Sequence, residues 1–140
     1  MHEKMKPVIQ EETTGCGIAA CAALAGIGYQ ECRVIANRMG IFAGDKALWS
    51  ETGHVRRLLS ELRVPVEQTE IPFTGWEELP DTALLAIKWR MEKGKPFWHW
   101  VVFARQHTGA FVLDSKKGLT HNLRRDFGRM KPKWYIPVCS

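Results

Sequence analysis

Nowhere does the chain hold about 18 consecutive apolar residues, the length that a membrane helix needs. Its first ten residues have no apolar stretch of signal-peptide length and carry Glu3 among the lysines. Membrane spanning and export are therefore not expected, and a cytoplasmic protein is. Cysteine is sparse: Cys16, Cys21, Cys32 and Cys139 are spaced too unevenly for a disulfide framework. Nor is their spacing that of a zinc site, and the histidines are dispersed, so neither a metal nor another cofactor is expected. Free thiols in a reducing compartment fit this usage. Linkers, repeats and low-complexity tracts are missing as well. The 140 residues, 45% hydrophobic and 25% charged, read as one domain over 1–140. A chain of that size can bury a core without covalent staples.

Acidic residues become scarce late in the chain. Positions 1–87 hold 8 Lys+Arg against 12 Asp+Glu, whereas 88–140 hold 12 against 3. Lys116, Lys117, Arg124, Arg125, Arg129, Lys131 and Lys133 form a candidate basic surface for an anionic partner. A solvated face is the plainer reading of the same residues, and nucleic acid is not the expected partner.

The hydrophobic period changes partway along. From Gly15 to Gly26 nearly every residue is small or apolar, which predicts a helix buried on all sides, capped by Thr13 or Thr14 and ended by Gly26 or Gly28. Cys32, Ile35, Ala36 and Met39 mark a second helix that stops at Gly40. Val55, Leu58, Leu59 and Leu62 mark a third, with Ser50 or Thr52 as its cap. Five extended runs follow: Val64 to Ile71, Ala83 to Trp89, Phe97 to Arg105, Ala110 to Asp114 and Trp134 to Val138. Gln106 to Gly109 reads as a hairpin turn. Helices first and strands afterwards indicate an α+β domain with an antiparallel sheet.

Cys16 lies between Gly15 and Gly17 at the entrance to the buried helix. Unpaired N–H groups and the positive end of the helix dipole favour an anion there, which predicts a thiol of lowered pKa. The glycines let another backbone approach the sulfur. Cys21 and Cys32 fall inside apolar helices as core residues, and Cys139 belongs to no constellation. A reactive cysteine needs a base. Of five histidines His99 is the best placed, on a strand where alternation sets it opposite Trp98 and Trp100. Pairing across the hairpin brings Asp114 within one or two positions of His99, where a carboxylate can hold the imidazole in one tautomer. Most of the six tryptophans are expected to pack in the core or on the sheet.

Gln10 six residues before Cys16, the Cys16-Gly17-Ile18-Ala19-Ala20 helix entry, His99-Trp100-Val101-Val102 on a strand, and Asp114 after the next turn together resemble a papain-like cysteine peptidase. The nearest variant is the compact bacterial branch typified by the bacteriocin-processing, double-glycine leader peptidases. The resemblance spans about Pro7 to Lys117. It implies a papain-like fold with N-terminal helices packed against a C-terminal sheet, and a peptide or protein substrate. It also implies four roles: Cys16 as nucleophile forming a thioester, His99 as its base and later acid, Asp114 as the orienter of His99, and Gln10 as an oxyanion-hole donor beside the Cys16 N–H. The best-known members are fused to membrane helices and an ATPase, and neither occurs in these 140 residues. Cleavage of a peptide bond is therefore expected rather than coupling to export. Two other classes fit the same residues. One is a papain-like amide acyl-transfer enzyme, a deamidase or transglutaminase, which passes through the same thioester. The other is a non-enzymatic basic module that binds peptide or nucleic acid.

Overall fold

The run of small apolar residues folds as helix α1 (Cys16–Ala25), with Cys16 to Ala23 buried. The structure is a computed structural model that describes residues 5–139. Gly26 ends α1 at φ 74°, a left-handed conformation, and the N–H groups of Gly26 and Ile27 close the last turn on the carbonyls of Ala23 and Ala22. Three helices follow: α2 (Tyr29–Arg38), α3 (Ala47–Ser50) and α4 (Gly53–Glu61). In α2 the expected stripe buries Cys32 and Ala36, with Ile35 and Met39 partly covered beside them. Val55, Leu58 and Leu59 do the same for α4.

The expected caps are not the observed ones. The chain turns tightly before α1, Gly15 N–H donating to Glu12 O, so Gly15 is the N-cap and both threonines lie outside the helix. Ser50 belongs to α3, where its hydroxyl bonds Lys46 O, and Thr52 precedes α4 without a side-chain capping bond.

Six strands form one antiparallel sheet: β1 (Ile71–Pro72), β2 (Thr82–Glu92), β3 (Lys95–Gln106), β4 (Gly109–Leu113), β5 (Leu123–Arg124) and β6 (Pro132–Pro137), in the order β1-β6-β2-β3-β4-β5. The hairpin turn stands where expected, Gln106 pairing with Gly109 across His107 and Thr108. The Val64 to Ile71 run is different. It makes only a Val66↔Val138 bridge before the short β1, because Pro65 has no N–H for a ladder and four polar residues, Glu67 to Glu70, interrupt the apolar pattern. Among the described residues the architecture is thus α+β, with four α-helices and a six-stranded antiparallel sheet.

Both faces of the sheet are covered, which is why Ala83 to Ile87 and Trp100 to Ala104 read as continuous apolar runs rather than alternating ones. Leu84, Ala86, Trp98, Trp100, Val102 and Phe111 face the helices, meeting Ile18, Cys21, Cys32, Leu48, Val55 and Leu58. Leu85, Ile87, Val101, Phe103, Val112 and Tyr135 face the other way, under Leu79 and Met130 and the rings of Phe73, Trp76 and Phe127. Trp98, Trp100 and Trp134 pack edge to face on the helix side, with ring centroids 4.8 to 5.5 Å apart. Tryptophan serves packing here, apart from Trp89, which is 37% exposed. Among the described residues no single helix is long and apolar enough to cross a membrane.

Candidate active site

The hairpin register explains how a helix end meets a strand. β4 stops at Leu113, opposite Val102, so the preceding half of β3 has no β4 neighbour on that side. By continuation of the register the Trp100 N–H would face position 115. Instead it points at Cys16 Sγ, 3.5 Å away. The N-terminus of α1 thus occupies the gap that β4 leaves. Trp100 fixes it further, its indole N–H donating to Leu48 O at 3.0 Å.

His99 lies one residue before that contact. Its Nε2 meets Asp114 Oδ1 at 2.7 Å, and the same register sets Asp114 opposite Val101, two positions from His99, as the sequence predicted. With Nε2 engaged, Nδ1 is the nitrogen left to the Cys16 thiol. Burial by itself would depress the proton affinity of the ring. The Asp114 hydrogen bond and the Cys16 thiol more than offset it, and the His99 pKa is raised to about 9. Asp114 is 1% exposed. Burial would raise its pKa, yet hydrogen bonds from His99, from the Lys116 N–H and from Arg124 hold the carboxyl well below the usual range. Asn122 clamps the main chain at this point, its Nδ2 donating to Asp114 O and Lys116 O while its main-chain carbonyl accepts the Asp114 N–H. A thiol next to an imidazole that a buried carboxylate orients is the arrangement of a nucleophile, its base and the base's holder.

Among the described residues the Cys16 N–H donates to no protein acceptor. It is one of the orphan donors of a helix start and is free to meet an oxyanion. Gln10 differs from expectation. It is buried in the same neighbourhood, but its two amide protons go to Glu12 O at 3.0 Å and Thr13 O at 2.7 Å, and its Oε1 accepts from Ser115 Oγ at 2.8 Å. Gln10 therefore spends its donors on the turn leading to Cys16, and one of those bonds must open before it can serve an oxyanion. One serine after an aspartate carries no signal in the sequence, yet Ser115 holds the Gln10 side-chain carbonyl. The Gln10 N–H to Ser115 O bond, at 2.9 Å, stitches the segment before Cys16 to the segment after Asp114.

The glycines flanking Cys16 are required by space rather than by dihedral angle. A Cβ on Gly15 would lie 2.2 Å from the Tyr29 hydroxyl and 3.1 Å from Glu12 O, and one on Gly17 would touch Leu48. Tyr29 cannot simply swing away, since it is buried and donates to Glu12 Oε1 at 2.6 Å. Gly15→Ala is accordingly expected to cost about 1–3 kcal/mol of stability, read as a lowered denaturant midpoint. An unchanged midpoint would show that Tyr29 does not fill this space.

The other thiols differ in character. Cys21 and Cys32 are fully buried; burial pushes the Cys21 thiol up strongly and the Cys32 thiol up to about 12. Of the seven basic residues of the late stretch, six are exposed and Arg124 is not. It turns inward, which its place among neighbouring arginines and lysines did not reveal. No protein-family model and no curated protein matches the chain.

Proposed function

We propose that the chain is a papain-like cysteine peptidase that hydrolyses peptide bonds through Cys16, His99 and Asp114. The observation that carries the reading is the meeting of three separate elements at one point: the start of α1 with the Cys16 sulfur, β3 with the His99 ring, and the end of β4 with a buried carboxylate 2.7 Å from that ring. His99 holds the proton of the Cys16–His99 pair, and the sulfur, as the thiolate, bonds the substrate carbonyl carbon. The tetrahedral oxyanion is met by the Cys16 N–H at the helix start, with Gln10 holding the approach turn and available as a second donor when a turn bond opens. Collapse breaks the C–N bond, His99 protonates the departing amine, and a thioester remains. Water, deprotonated by His99, then releases the acid and restores the thiol. A preorganised oxyanion donor of this type is worth about 3 kcal/mol of barrier.

The test is incubation with unstructured peptides, Gly-Gly sequences among them, with products read by mass spectrometry. New peptide termini support the reading. Ammonia release without chain cleavage replaces it with the amide acyl-transfer class, and no product from any peptide counts against catalysis. The rate should fall on the alkaline side with an inflection near pH 9, because His99 must carry a proton to give the leaving amine and keeps it up to about that value. A kcat/KM profile already declining at neutral pH would contradict this role.

A further inference from the structure

Asp114 is held on both oxygens. Oδ1 takes His99 and the Lys116 N–H, and Oδ2 takes the Arg124 Nη1 at 2.8 Å. The far edge of the same guanidinium grips Asp126, Nε to Oδ1 at 2.9 Å and Nη2 to Oδ2 at 2.6 Å. His99, Asp114, Arg124 and Asp126 thus form a line of groups that alternate in charge when His99 is protonated. An arginine kept only for solubility would stay in water with Arg125 and Arg129, but the Arg124 side chain is 13% exposed and its hydrogen bonds run to the two aspartates.

We propose that Arg124 is a positioning residue for His99: it fixes the plane of the Asp114 carboxylate and takes up part of the negative charge that the ring would otherwise meet. This rests on the reading of Cys16, His99 and Asp114 as one working set. Cys16 from α1 and Asp114 after β4 act on His99, while its β2 neighbour is Ile87. Asp114 meets His99 and Arg124; Arg124 meets Asp114 and Asp126; and Arg129 acts on Asp126 from outside.

The signs follow from this line. Without Arg124 the full charge of Asp114 bears on the imidazolium and His99 keeps its proton to higher pH. Without Asp126 the arginine is no longer shared, draws more on Asp114, and His99 releases its proton earlier. The experiment follows carbamidomethylation of Cys16 by iodoacetamide against pH in the full chain by mass spectrometry, with Cys139 as the comparison thiol. Its alkaline inflection should rise by about half a unit to one unit in Arg124→Met. It should fall by about a few tenths of a unit in Asp126→Asn, and Arg124→Lys, which keeps the charge, should restore most of the wild-type value. If Arg124→Met fails to fold, Asp126→Asn decides the sign, since Asp126 is exposed. Identical inflections in all variants, or shifts of the same direction in Arg124→Met and Asp126→Asn, overturn the proposal. Peptide cleavage is not read in this experiment. A chain that cleaves nothing but gives the opposed shifts retains the role of Arg124 and loses only the peptidase reading.

Discussion

Cys16→Ala is expected to reduce peptide cleavage by at least about 10³-fold while leaving the protein folded. No other thiol can take over. Cys21 and Cys32 are fully buried, with thiols pushed up by that burial, and Cys139 follows β6 at the other end of the chain. The substitution also removes the acceptor of the Trp100 N–H, so a loss of about 1–2 kcal/mol in stability should accompany it. Cys16→Ser separates the two effects, because a hydroxyl can still accept from Trp100 yet is a poor nucleophile in a site built for sulfur. Both variants should be inactive, and the serine variant should be the more stable of the two by urea unfolding. A folded Cys16→Ala protein that cleaves at the wild-type rate would falsify the assignment of the nucleophile.

The residues that were legible beforehand are those whose position follows from local pattern. A helix of small residues announces α1 because nothing in Cys16 to Ala25 can face water profitably, and the hairpin at Gln106 to Gly109 fixes a register from which the nearness of His99 and Asp114 can be counted. What was hidden depends on distant chain. α3 has four residues, too few to display a period, and its place is set by Leu48 against Gly17 and its carbonyl against the Trp100 indole. Arg124 could not be told from Arg125 by charge alone. Only the two aspartates on either side of it in space, one of them ten residues back, decide which arginine folds in. Its spacing from Cys16 points to Gln10, but its partners at Glu12, Thr13 and Ser115 depend on how the turn closes and on where the chain returns after β4. Pattern thus located the chemical groups, and the return of the chain determined what each one touches.

Asp114→Asn should be damaging to both activity and stability. The carboxylate accepts from His99, from the Lys116 N–H and from Arg124 at once, at a site 1% exposed. An amide of the same shape has one oxygen and one NH₂. Whichever way it turns, the NH₂ faces a donor: the Arg124 guanidinium in one orientation, His99 and the Lys116 N–H in the other. The expected cost is about 2–4 kcal/mol from the broken ion pair and the unpaired donors, with cleavage slowed by roughly 10²- to 10⁴-fold as the imidazole loses its holder. The pH dependence of stability should change in a definite way. His99 is raised from an unfolded value of about 6.5, so its contribution in the wild type is complete below that pH and disappears as pH rises through about 9. Asp114 is lowered, so its contribution is present above about 3.9 and is lost as pH falls toward its depressed folded value. In Asp114→Asn the acid-side loss from this residue should be absent, and the alkaline-side loss should begin at lower pH because the ring has lost the anion that held its proton. Urea midpoints measured from pH 3 to pH 10 for both proteins would show it. Parallel curves, with the variant merely displaced downward at every pH, would mean that Asp114 packs the turn without governing the protonation of His99.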